Sequence, residues 1–153
     1  MNQLLRLARL YYSASHLPEY LAPAFDLGLR LFLASVFFKS GLTKIQNWDS
    51  TLYLFSDVYQ VPLLPPEFAA WLATSADLGL SVLLALGLFG RFAAAGLSIL
   101  NVVAVISYAE LSEAGISHHL YWGLLLAVLL VMSRGQWSAD FWLERRLQKA
   151  ARA

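Results

Sequence analysis

Four side chains that carry or read charge stand inside otherwise apolar stretches of this chain. They are Asp26 and Arg30 in DLGLRLFLASVFFKSGLTK, Asp77 in ATSADLGLSVLLALGL and Asn101 in GLSILNVVAVIS. Inside hydrocarbon an isolated charge costs about 2.5 to 3.5 kcal/mol, so such groups turn inward and pair. A guanidinium has five donors and can serve two carboxylates. Asp26 stands four residues before Arg30, within reach on one helix face. Asp77 is the acid available on a neighbouring segment, with Thr74 and Ser81 on its face, and Ser98 stands three residues before Asn101. This set suits either of two roles: a polar contact that fixes helix register, or a head-group site or proton relay.

A second group, His118 and His119 followed by Tyr121 and Trp122, opens the last apolar segment. Adjacent histidines on a helix point about 100° apart and make a poor pair of metal ligands, so no metal is expected. One imidazole there could hydrogen-bond a quinone carbonyl or simply be solvated. The chain has no cysteine, so a dithiol centre or a thiolate metal site would have to come from a partner.

The elements that must position these residues follow from composition. Of the 153 residues 59% are hydrophobic and 14% charged, where soluble domains carry about 25% charge. The net charge of +1 and the scattered basic residues argue against a nucleic-acid partner. About 20 apolar residues cross a bilayer as a helix, and four segments qualify, at about 21–42, 68–89, 91–109 and 119–133. The second and fourth are apolar nearly all round, unlike helices of a soluble bundle. The expected fold is all-α, a four-transmembrane-helix bundle in one domain over 1–153. With these bounds Arg30 and Asp77 both fall near the midplane, so Arg30 is expected to pair with Asp77 and, second, with Asp26. Lys39 and Lys44 are expected to snorkel to the interface.

Arg6, Arg9, Arg91, Arg134, Arg145, Arg146, Lys149 and Arg152 flank the segment ends on one side, whereas only Lys44 lies on the other. Basic residues favour the cytoplasm, so both termini are expected there. The first external connection, IQNWDSTLYLFSDVYQVPLLPP, carries Leu52, Phe55 and Tyr59 at helical spacing after Asp49. It reads as a short interfacial helix, with a lid over the bundle as the alternative. Amphipathic cytoplasmic ends are expected at MNQLLRLARLYYSASHLPEY, which is read as retained, not as a cleaved signal, and at WSADFWLERRLQKAARA, whose Trp137, Phe141 and Trp142 would meet the interface.

From about Leu27 to Asp140 the sequence resembles DoxX-like membrane proteins. The resemblance is carried by Arg30, Lys39, Gly41 and Lys44 in an R-x(8)-K-x-G-L-x-K pattern, by VPLLPPE, by ATSADLGLSVLLALGL with GRFAA, and by HHLYWGLLL. It implies a four-helix bundle in a bacterial inner membrane, and protein partners from redox, oxidative-stress or metal-handling systems. The function expected is that of a membrane subunit of a redox-linked or stress-protective assembly, non-autonomous if part of an oxidoreductase. It would have no covalently bound cofactor and a quinone or small polar metabolite as ligand, with self-association left open. The alternatives are a small-molecule carrier, which needs a path to Arg30, and a membrane anchor for partners, which needs Arg30 sealed and the tail exposed.

Overall fold

The computed structural model describes residues 17–132, 135 and 137–152. The expected N-terminal amphipathic helix lies outside the described residues. Helix α1 spans Leu17–Gln46, and α2, Trp48–Tyr53, runs on into a π-helical turn at Leu54–Val58. Helices α3 (Pro66–Leu86), α4 (Gly90–Ser107), α5 (Glu113–Met132) and α6 (Ala139–Ala150) follow. Four of these, α1, α3, α4 and α5, are long and apolar enough to cross a membrane. The protein is a four-span helical bundle. Its tail end carries the α3–α4 turn and α6, and its loop end carries α2 and the α4–α5 connection.

Local sequence explains where the helices stop. Gly87 takes a left-handed conformation (φ 66°), and the N–H of Leu88 bonds back to the Leu83 carbonyl at 3.0 Å, which closes α3. Pro66 opens α3 at its first position, where a missing N–H costs nothing. Asn47 caps α2 by accepting a bond from the Ser50 N–H at 3.2 Å.

The bundle packs chiefly through α1 on α3, α3 on α4 and α4 on α5, and the contact closing α1 on α5 is less extensive. Leu33, Phe37, Leu84, Leu97, Leu126 and Leu129 fill the interior around Ala93 and Ala94. Small residues allow the spans close approach. A Cβ added to Gly41 would lie 2.7 Å from the Leu78 side chain, and one on Gly96 2.5 Å from that of Leu80. The outer surface holds Phe25, Phe92, Ile99 and Leu124, all exposed. A soluble bundle would carry polar groups there, whereas lipid accepts these side chains.

These contacts set a register different from the one the sequence bounds suggest. Gly41 lies against Leu78, and Arg30 reaches Ala85. The first span continues to Gln46 and the second stops at Leu86. Gly41 thus stands at the level of Asp77 and Leu78, and at 1.5 Å per residue Arg30 lies roughly 16 Å along the axis from that level, toward the tail end.

Candidate functional site

The expected Arg30–Asp77 pair does not form. Each charge has another partner, and the two pairs do different things. At the tail end Arg30, 1% exposed, uses its planar fork to gather three chain segments. Nε donates to Asp26 Oδ2 at 3.0 Å on its own helix, Nη1 to the Ala85 carbonyl at 3.4 Å, and Nη2 to the Trp137 carbonyl at 3.0 Å. It thus satisfies a carbonyl in the last turn of α3 and fixes the approach to α6, a task that suits a guanidinium and not an ammonium.

Two glycines make room for this cluster. A Cβ on Gly87 would strike Arg30 Nη1 and lie 2.6 Å from Ser138 Cβ, and one on Gly135 would strike Asp26 Oδ2. Asp140 completes the attachment. Its carboxylate accepts the N–H groups of Phe89 at 2.9 Å and Gly90 at 3.0 Å, while its own N–H donates to the Gly87 carbonyl at 3.0 Å. The carboxylate supplies a cap that Phe89, itself left-handed at φ 50°, does not provide for α4.

The second pair lies toward the loop end. Lys44 Nζ donates to Asp77 Oδ2 and to Ser40 Oγ, both at 2.7 Å, and Ser40 Oγ donates to the same carboxylate oxygen at 2.9 Å. Lys44 therefore does not simply snorkel to the interface: its ammonium is held against a carboxylate that is 3% exposed, while its own side chain keeps 21% exposure. Ser40 and Lys44 are one turn apart on α1, which places hydroxyl and ammonium over a single acid. An ammonium has three donors. Two are committed here, and the third meets no acceptor among the described residues.

Asn101 and His119 form a third polar contact, between α4 and α5. Asn101 Nδ2 donates to the His119 carbonyl at 2.9 Å, which fixes the amide so that Oδ1 faces the imidazole. Nδ1 of His119 lies 2.7 Å from that oxygen. With the amide in that orientation, a neutral ring carries its hydrogen on Nδ1 and presents Nε2 as an acceptor. The histidines were expected at the mouth of the last span, but α5 begins at Glu113 and both stand within the helix. His118 is exposed and stacks on Trp122 at 5.8 Å, and His119 meets the same indole edge-on at 5.0 Å.

Trp122 ties this group to α1 through Phe37, 6.3 Å between ring centroids. Ser40 and Gly41 stand one turn from Phe37, and His119 one turn from Trp122 in the antiparallel direction. The Lys44–Asp77 pair and the Asn101–His119 contact consequently share a level. All four spans contribute to one polar layer, about 9 Å from the start of α5, counting from Glu113 to His119, and about 16 Å from the start of α3, counting from Pro66 to Asp77. The sequence pointed to Asp77, Asn101 and His119, read Lys44 as an interfacial side chain and did not single out Ser40. Their i,i+4 spacing was the available signal.

Above this layer α2 and its π-helical turn cross the loop end. Phe55 is buried against Ala69 and Ala70, while Tyr53 and Leu54 remain exposed. The segment packs on the bundle with one face and offers the other to its surroundings. Tyr59 stands 5.4 Å from Tyr108, edge to face, and burial followed by the neighbouring phenol raises its pKa above the ordinary value. Ser107 Oγ is buried here without a hydrogen-bond partner among the described residues.

Apolar spans that expose side chains suited to lipid and pair Arg30 with Asp26 and Lys44 with Asp77 define a multi-pass integral membrane protein. A family model described as DoxX matches residues 25–110, more than half of the sequence, and the chain belongs to the DoxX family. The match covers Asp26, Arg30, Lys44, Asp77 and Asn101, and stops before α5. No curated protein and no solved structure matches the chain.

Proposed function

We propose that this DoxX-family protein is a non-autonomous membrane subunit of a redox-linked or stress-protective assembly, and that its polar layer takes the head group of a quinone or another small polar ligand. The observation that carries this reading is Lys44. It is a partly exposed ammonium, fixed by Ser40 and Asp77 between two spans, with one donor to spare among the described residues. A carbonyl or anionic oxygen arriving there would meet an oriented charge, and charge-assisted hydrogen bonds are strong in a dry interior. Asp77 balances the ammonium before a ligand arrives. The redox link rests on the family resemblance, and with no cysteine in the chain any thiol centre of the assembly belongs to a partner.

The test is gentle purification from native membrane followed by mass spectrometry of bound small molecules, for the wild type and for Lys44→Met. A quinone or polar metabolite retained by the wild type and depleted in the variant is the expected result. Equal retention by both, or none by either, removes Lys44 as the reading's basis.

A second reading, a membrane anchor for partner proteins, is favoured by Arg30. Its guanidinium is sealed and holds the approach to α6 instead of facing a path, and α6 has no buried residues. Copurification of a stoichiometric soluble protein without a small-molecule ligand would support the anchor. As for placement, we assign the tail end to the cytoplasm, because the basic residues concentrate there, and we assign the bacterial inner membrane on the family resemblance.

A further inference from the structure

Among the described residues, helix α6 is tied to the bundle at its start. Asp140 and Arg30 hold the chain there, and Ser138 caps the helix by accepting the Phe141 N–H at 3.3 Å. Beyond that point no residue of the helix is buried. Its surface is nevertheless strongly sided. At about 100° per residue, Trp142, Leu143 and Leu147 form one apolar stripe, and all three are exposed. Arg145, Arg146 and Lys149 lie within or along one flank of that stripe. Glu144 lies on the opposite side, bonded to Gln148 at 3.4 Å, and Asp140 is already spent on the α3–α4 turn. Among the described residues none of the three basic side chains is paired with a carboxylate; Arg145 lies 5.0 Å from the centroid of the Phe141 ring. At the same end of the bundle Leu86, Phe89 and Phe92 are exposed, which places lipid beside the turn that holds α6.

We propose that α6 is a binding platform for anionic lipid. Trp142, Leu143 and Leu147 enter the boundary between head groups and acyl chains, and Arg145, Arg146 and Lys149 take lipid phosphates. An apolar stripe edged by basic residues lies in the plane of an anionic surface, and each basic side chain near such a surface favours the bound state roughly fivefold. The attachment through Arg30 and Asp140 holds the helix at the tail end in advance, so contact with lipid needs no search by a free tail. This role is independent of what the polar layer binds.

Because the chain lacks cysteine, a single reporter can be placed on α6 in the full-length protein. Leu147→Cys, labelled with an environment-sensitive fluorophore, is reconstituted into vesicles of phosphatidylcholine alone and of phosphatidylcholine with phosphatidylglycerol. The expected result is a blue shift in the anionic vesicles that high salt weakens, and that Arg145→Gln/Arg146→Gln/Lys149→Gln abolishes. A reporter at Gln148, on the opposite face, should stay aqueous in both. The three basic residues are exposed, so their replacement leaves the bundle contacts in place, and unchanged melting of the variant checks this. The same emission in both vesicle types overturns the proposal. So does a reporter that shifts only when an acidic soluble protein is added, which would assign the face to a protein partner.

Discussion

Lys44 Nζ stands 2.7 Å from Asp77 Oδ2, and Ser40 bridges the two. The pair joins α1 to α3 inside the bundle, and each partner is the other's main compensation for leaving water. Removing one should cost more than removing a lipid-facing lysine. Asp77→Ala is expected to lower stability by on the order of 1–2 kcal/mol, read as a lower melting temperature in detergent, with Lys39→Ala nearly silent. Joint replacement, Lys44→Met with Asp77→Leu, should recover most of the loss, because no unpaired charge remains. An Asp77→Ala protein that melts like the wild type would refute the pairing.

Gly87 and Gly28 should respond to alanine with opposite signs. Gly87 is left-handed and an added Cβ would meet Arg30 and Ser138, whereas nothing lies within 4 Å of a Cβ on Gly28 in mid-helix. Gly87→Ala is expected to destabilise by about 1–3 kcal/mol and to raise amide exchange at the start of α6. Gly28→Ala should gain up to about 1 kcal/mol, since glycine disfavours a helix interior. The check is melting of both variants together with exchange measured at Trp137 to Phe141.

The Asn101–His119 contact predicts a single imidazole tautomer. In nitrogen-labelled protein, Nδ1 of His119 should report as protonated and Nε2 as bearing the lone pair. Asn101→Ala should mix the tautomers while His118, stacked on Trp122 and not bonded to Asn101, keeps its spectrum. A mixed population in the wild type would contradict the fixed amide.

The assigned orientation predicts labelling from opposite sides. Ser50→Cys and Gln148→Cys both place the thiol at exposed positions. In intact cells an impermeant reagent should reach the first and miss the second until the cells are opened. Reaction of both in intact cells would reverse or break the topology.

By itself the sequence determined the class of fold. Apolar runs of spanning length, with Pro66 ahead of one helix and Gly87 behind it, leave few alternatives to helices that satisfy their own backbone in lipid. It also marked α6 through its alternation of aromatic and basic residues, and indicated that charges at Asp26, Arg30 and Asp77 must be paired. Which charge meets which was decided by tertiary structure. Pairing across helices depends on register, and register follows from where small residues let two backbones approach. Gly41 against Leu78 brought Lys44 to Asp77 and left Arg30 at the other end to gather Asp26, Ala85 and Trp137. A shift of only a few residues in the end of each span redistributes every such pair, because a helix advances 1.5 Å per residue while a salt bridge tolerates little more than that.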